Sequence, residues 1–154
     1  MQTALSQESA QKQDGQTFRI ERVNDIQEIL KCMPFEREIR KKGRDDQRES
    51  SMLLFVQGMI GNPSFGFWIA YDSHDAVLGY CIAALSYIPG KERLIVIRLC
   101  SRIHALSEQL QSIMIDWGRK NHLRIAQIIV TKNIKAMKRL FGVKPVGIVM
   151  ERRI

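Results

Sequence analysis

The residues with the clearest potential for chemistry lie between a predicted strand, residues 93–99, and the long predicted helix 104–121 that follows it. Arg102, Ala105 and Ser107 stand where this helix begins. A helix start presents backbone N–H groups without intrahelical acceptors and the positive end of the helix dipole, so it favours an anion. An anion-binding helix start is one interpretation of this segment. Ordinary side chains of a first helical turn are the alternative interpretation.

Two side chains next to the same strand are candidates for catalysis. Glu92 precedes the strand and would act as a general base, with an exposed turn carboxylate as the alternative. Cys100 follows the strand and would act as a nucleophile or a thiol acid, with a small buried side chain as the alternative. The histidines and cysteines are scattered without metal-ligand spacing, so we expect no metal site.

Composition and charge limit the class of protein. The 154 residues suit one domain, and a net charge of +8 favours an anionic partner such as nucleic acid, an anionic membrane surface or a phosphate-rich cofactor. Three unpatterned cysteines argue against a disulfide framework. The start has no secretory pattern and the longest apolar stretch, 77–88, is too short to cross a bilayer. We expect a soluble, cytoplasmic protein without a membrane partner.

The N-terminal third mixes a polar segment with the first elements of a domain. Residues 1–16 are rich in Gln and Ser and predict a flexible tail unless a protein partner orders them; residues 17–154 form the domain. Residues 17–23 alternate as a strand, and a helix from Ile26 is expected to end at Pro34. The mixed-charge run 36–49 favours a solvated loop or helix face over a patch that binds nucleic acid or acidic substrates.

The remaining periodicities predict an α/β domain with a mixed sheet. Apolar spacing indicates helices over 52–60, 104–121 and 133–142, and strands over 65–71, 77–85, 93–99, 125–130 and 145–152. Hairpins precede a strand-helix-strand unit, which requires a parallel pair. We therefore expect antiparallel strands joined to one parallel pair, with helices on both faces.

This order resembles that of the GCN5-related N-acetyltransferase (GNAT) superfamily over about residues 17–153. The segment Arg102-Ile103-His104-Ala105-Leu106-Ser107 is similar to the family's Arg/Gln-x-x-Gly-x-Gly/Ala, with alanine and serine where the family usually has glycine. The resemblance implies an acyl-CoA N-acyltransferase fold with a mostly antiparallel central sheet. It also implies that acetyl-CoA binds with its pyrophosphate at Arg102, Ala105, Leu106 and Ser107.

Two further segments carry the resemblance. The residues from Asn133 to Gly142 resemble the family's Asn-x-x-Ala-x-x-x-Tyr block, which implies that Asn133 shapes the cofactor cleft. In this alignment Leu140 stands where the family commonly has a tyrosine that protonates the leaving thiolate. The family's oxyanion donor is a backbone N–H of the fourth strand, and this implies a cofactor contact in the segment from Ile97 to Leu99.

The leading functional hypothesis is an acetyl-CoA-dependent N-acyltransferase that transfers an acetyl group to an unidentified amine by direct attack. A second hypothesis is a catalytically weak or inactive module of the same fold in a larger assembly such as a virus particle, which would make it virion-associated. A third hypothesis, a nucleic-acid binder, rests on charge alone.

Overall fold

The computed structural model describes residues 11–13, 16–39, 46–128, 134–142 and 144. The described residues contain one six-stranded sheet whose spatial order follows the chain. The strands are β1 (Gln11–Gln13), β2 (Gln16–Arg22), β3 (Phe65–Asp72), β4 (Val77–Ser86), β5 (Arg93–Ser101) and β6 (Ala126–Ile128). The helices are α1 (Ile26–Leu30), α2 (Cys32–Ile39), α3 (Asp46–Met59), α4 (His104–Lys120) and α5 (Ile134–Phe141).

The strand pairing confirms the predicted mixed sheet. Each neighbouring pair from β1 to β5 is antiparallel, and β5 pairs with β6 in parallel, with Leu94 beside Ala126 and Val96 beside Ile128. Helix α4 connects β5 to β6, as a parallel pair requires a crossover rather than a tight turn.

Helices pack on both faces of the sheet, as predicted, because alternate strand residues point to opposite sides. On one face, Leu106 and Leu110 of α4 lie in a cluster with small side chains such as Cys81 and Ala83. On the other face, side chains of α1, α2 and α3 pack with Tyr80 and Ile82. One face of the predicted strand β3 is part of this core, since Phe65, Phe67, Ile69 and Tyr71 are all buried.

The prediction that Pro34 ends the first helix is wrong. The break lies at Lys31, whose backbone N–H donates to the carbonyl oxygen of Glu28 at 3.1 Å, and Pro34 is the third residue of α2. Proline is tolerated there because the N–H groups of the first helical turn have no intrahelical acceptor.

The sheet begins within the segment that was predicted to be a tail. Gln11–Gln13 and Gln16 lie in strands, and Gln11 pairs with Phe18. An edge strand is held by backbone hydrogen bonds, so it does not need the large apolar side chains that this segment lacks. Residues 1–10, Asn133 and the predicted last strand 145–152 lie outside the described residues.

Two helices are followed by a glycine with positive φ. Gly61 follows α3 with φ 82°, and Gly142 follows α5 with φ 60°, a backbone conformation that L residues other than glycine rarely adopt. Among the residues that the structure describes, no helix is both long and apolar enough to cross a membrane.

Candidate functional site

A bulge interrupts β5 at its midpoint. Ile82 of β4 pairs with Arg98, but Ala83 pairs with Val96, so Ile97 is an extra residue without a partner on β4. The side chains show the same shift: Val96 and Leu99 both contact the α4 cluster although three positions separate them. In a regular strand they would lie on opposite faces. A bulge leaves the backbone groups of the extra residue outside the ladder, and the Ile97 side chain is 39% exposed.

β5 then leads directly into the start of α4. Ile103 is the N-cap, with extended backbone and no side-chain cap. The Ser107 N–H donates to the carbonyl oxygen of Ile103 at 3.0 Å, so the N–H groups of residues 104–106 precede the first intrahelical bond. Leu106 is buried in the core, so a ligand here would meet its backbone and not its side chain. Ala105 and Ser107 are half-buried and small.

Arg102 is turned toward α2. Its guanidinium forms an ion pair with Glu38 and lies 5.4 Å from the centroid of the Phe35 ring. Both partners of the ion pair are about half exposed. The loop therefore contains the expected basic side chain, but its charge is matched by a carboxylate of the same chain.

A buried polar cluster that the sequence patterns did not predict lies beside the bulge. Glu36 is 1% exposed and forms an ion pair with Arg98, the residue after Ile97. The Tyr80 hydroxyl donates to Glu36 at 2.5 Å, and the Cys100 thiol lies 3.7 Å from the same carboxylate. The prediction of a solvated face is wrong at Glu36, because its counter-charge is 62 residues away and invisible to local periodicity.

Burial controls the ionisation of this cluster. Burial raises the pKa of the Cys100 thiol to about 11, with Arg98 opposing the shift and Glu36 adding to it. Burial also raises the pKa of Tyr80 well above its ordinary value, and its hydrogen bond to Glu36 adds to that rise. Both groups keep their protons at neutral pH, so Cys100 is neither an activated nucleophile nor an exposed thiol.

Glu92 lies apart from the bulge. It is exposed in the turn before β5, and it accepts a hydrogen bond from the backbone N–H of Gly90 at 3.1 Å. This is the opposite end of β5 from Cys100 and α4. His104 is largely exposed, with Nε2 3.6 Å from Glu108. Within the described ranges no group of His, Cys, Asp and Glu could hold a metal ion.

Comparison with solved structures defines the class of fold as that of the GNAT acetyltransferases. A predicted acetyltransferase from Clostridium acetobutylicum, solved with acetyl-CoA, matches with a TM-score of 0.72, covering 88% of this chain and 96% of its own at 9% identity. A GCN5-related N-acetyltransferase from Ralstonia eutropha matches with a TM-score of 0.69, covering 89% and 98% at 16% identity.

An aminoglycoside 6'-N-acetyltransferase from Acinetobacter baumannii also matches, with a TM-score of 0.69 over 89% of this chain and 97% of its own at 11% identity. No family model and no curated protein matches the sequence. The similarity therefore lies in the fold, with few identical residues to carry chemistry from one protein to another.

Proposed function

We propose that this chain is an acyl-CoA-dependent N-acyltransferase, with acetyl-CoA as the donor and an amine as the acceptor. The proposal rests on two structural features that follow one another in the chain, one in β5 and one at the start of α4. A bulge at Ile97 is followed, six residues after it, by the N-cap of a long helix without a side-chain cap. The first feature offers backbone donors to a developing oxyanion, and the second offers them to a phosphate.

The residues at the start of α4 fit the anionic part of the donor. The N–H groups of residues 104–106 would hold the pyrophosphate, and the small side chains of Ala105 and Ser107 allow it to approach. Arg102 would contribute once its ion pair with Glu38 is exchanged for phosphate. Leu99 would line the donor along β5, and Asn133 stays a prediction of the sequence resemblance.

The bound thioester would supply an activated acetyl group, and the chain would position it. Backbone N–H groups at the bulge would stabilise negative charge on the carbonyl oxygen during attack by the amine. Cys100 does not suit the role of proton donor to a leaving thiolate. Its pKa of about 11 exceeds the 9.0 of an ordinary thiol, so the transfer would be uphill. Glu36 is engaged with Arg98, so positioning is the main contribution we assign to the described residues.

A thermal-shift experiment tests the proposal. Acetyl-CoA at 100 times its Kd should stabilise the native state by about 2.7 kcal/mol. Ser107→Glu should abolish the shift, because it places a carboxylate at the phosphate position. Ser112→Glu, at an exposed position on the same helix, is the matched control and should shift as the unmodified protein does.

A panel of amines with a thiol-release assay then tests transfer. Release that depends on both acetyl-CoA and an amine supports the proposal. An unmodified protein that shows no thermal shift and no release contradicts it, and would favour the alternative hypothesis of an interaction module with this fold.

A further inference from the structure

Two ion pairs connect helix α2 to β5 and to the loop that follows it. Glu36 binds Arg98, and Glu38, two positions later, binds Arg102. Phe35, which directly precedes Glu36, packs edge-on against Tyr80, with 6.4 Å between the ring centroids. The contacts extend from the residue after the bulge to the loop before α4, and so cover the segment that the proposed function uses.

The acidic partner of the Glu36–Arg98 pair is buried, and the basic partner is partly exposed. The Glu36 side chain is 2% exposed, whereas the Arg98 side chain is 34% exposed. Tyr80 adds its hydroxyl to the pair, and its ring stacks on Phe67 at 5.5 Å with an interplanar angle of 9°. Apolar residues of similar volume often stabilise a core as well as a buried ion pair does. The pair is therefore better explained by what it specifies than by stability.

What the pair specifies is the register of β5. Arg98 occupies the first regular rung after the bulge, opposite Ile82, and Cys100 lies opposite Tyr80. Shifting β5 by one residue would turn Arg98 toward the apolar cluster under α4. The same shift would move the Arg98 guanidinium away from the Glu36 carboxylate. A one-residue shift is therefore disfavoured, because it places the Arg98 charge among the apolar side chains under α4.

We propose that Glu36 and Arg98 are positioning residues that hold the β5 bulge at Ile97. The ion pair ties α2 to the strand and keeps the extra residue at one place, so the backbone donors there keep a fixed direction. This inference rests on the proposed acyl transfer for its consequence in catalysis. The fixed register itself is a property of the free protein and is tested without any ligand.

The test compares two double variants. Glu36→Met with Arg98→Met removes both charges and keeps the side-chain length, so neither partner remains as an unpaired buried charge. Asp116→Met with Arg119→Met removes an exposed pair of α4, 3.1 Å apart, and is the matched control. In the free protein, hydrogen exchange of residues 97–99 should accelerate at least about tenfold in the first variant and remain unchanged in the control.

The kinetic readout separates positioning from folding. The first variant should lose about 10- to 100-fold in kcat, while the KM for acetyl-CoA changes less than about threefold, because the phosphate site at α4 is retained. Arg98→Lys keeps the charge and should recover part of the lost kcat. If the double variant does not fold, Glu36→Gln, which keeps the side-chain shape, carries the same two readouts.

A folded double variant with unchanged exchange at residues 97–99 and unchanged kcat would overturn the inference. Failure of the proposed function gives a different pattern. In that case the unmodified protein neither binds acetyl-CoA nor transfers its acetyl group, yet the exchange of residues 97–99 still responds to loss of the ion pair.

Discussion

Arg102 lies over the ring of Phe35 and is paired with Glu38, at the loop where an anion is expected. An exposed ion pair contributes little to stability, typically about 0–1 kcal/mol, because water and salt screen both charges. The same pair has a direct effect on ligand binding. A phosphate that uses Arg102 must replace the Glu38 carboxylate or bind beside it.

Glu38→Gln should therefore strengthen acetyl-CoA binding. We expect the Kd to fall about two- to fivefold, which corresponds to less than about 1 kcal/mol. Isothermal titration calorimetry at low salt measures this change in the Kd for acetyl-CoA. Glu108→Gln is the control, because it removes an equal charge from the first turns of α4 without contacting Arg102; its carboxylate lies 3.6 Å from His104.

Equal effects of the two substitutions would show that only the overall field matters. Weaker binding of acetyl-CoA to the Glu38→Gln variant would show instead that Glu38 holds Arg102 in its binding position.

One half of the candidate site could be predicted from the sequence. The start of α4 follows from helical spacing and small residues, which are local signals. The cluster of Glu36, Tyr80 and Arg98 could not be found in the same way, because its members are distant in the chain and meet only through α2 and the sheet. The bulge at Ile97 could not be predicted for another reason. The strand around it is almost uniformly apolar, so its hydrophobic pattern does not change where the side chains switch from one face of the sheet to the other.

At the scale of elements, β4 and β5 approach closely where β5 leaves the sheet. A Cβ added to Gly79 would lie 2.7 Å from the carbonyl oxygen of Cys100 and 3.0 Å from the Cβ of Ser101. Neither neighbour is the end of a flexible side chain, so the two strands would have to separate. Gly79 thus allows the close pairing with Ser101 at the end of β5.

Gly79→Ala should destabilise the protein by roughly 1–3 kcal/mol, because a methyl group is forced into backbone contact. Gly58→Ala is the control with the same chemical change, at an exposed site of α3 with nothing within 4 Å of the added Cβ. It should instead stabilise the protein by about 0.5–1 kcal/mol, because alanine loses less backbone entropy than glycine in a helix.

Urea denaturation measures both variants. A Gly79→Ala variant as stable as the unmodified protein would mean that the strands are farther apart at this rung than the structure has them.

The elements were largely predictable, and the errors have physical causes. The hairpin of β3 and β4, the long helix α4 and the parallel pairing of β5 with β6 all follow from periodicity and connection rules. Pro34 was misread because proline ends helices in their interior but not in their first turn. The strand Gln11–Gln13 was missed because backbone pairing at a sheet edge has no hydrophobic pattern.

At the scale of the whole molecule, the core contains several weak acids that stay protonated. Burial raises the pKa of Cys32, Cys81, Cys100, Tyr71 and Tyr80. For Cys100 the pKa rises from 9.0 in the ordinary thiol to about 11. Between these values the unfolded chain has released the proton and the folded chain retains it, so the unfolded state binds fewer protons. The free energy of unfolding must then fall as the pH rises.

We therefore expect the protein to be stable near pH 8 and to lose stability progressively above pH 9. Cys100 alone accounts for up to about 2 kcal/mol between pH 9 and 11, since one pKa unit corresponds to about 1.4 kcal/mol. Urea denaturation at pH 8, 9 and 10 measures the slope. Cys100→Ala should reduce it, while Ser112→Ala, which removes no titratable group, should leave it unchanged. A free energy of unfolding that stays constant from pH 8 to 10 would mean that water reaches these acids, and that the polar cluster beside the bulge is open rather than buried.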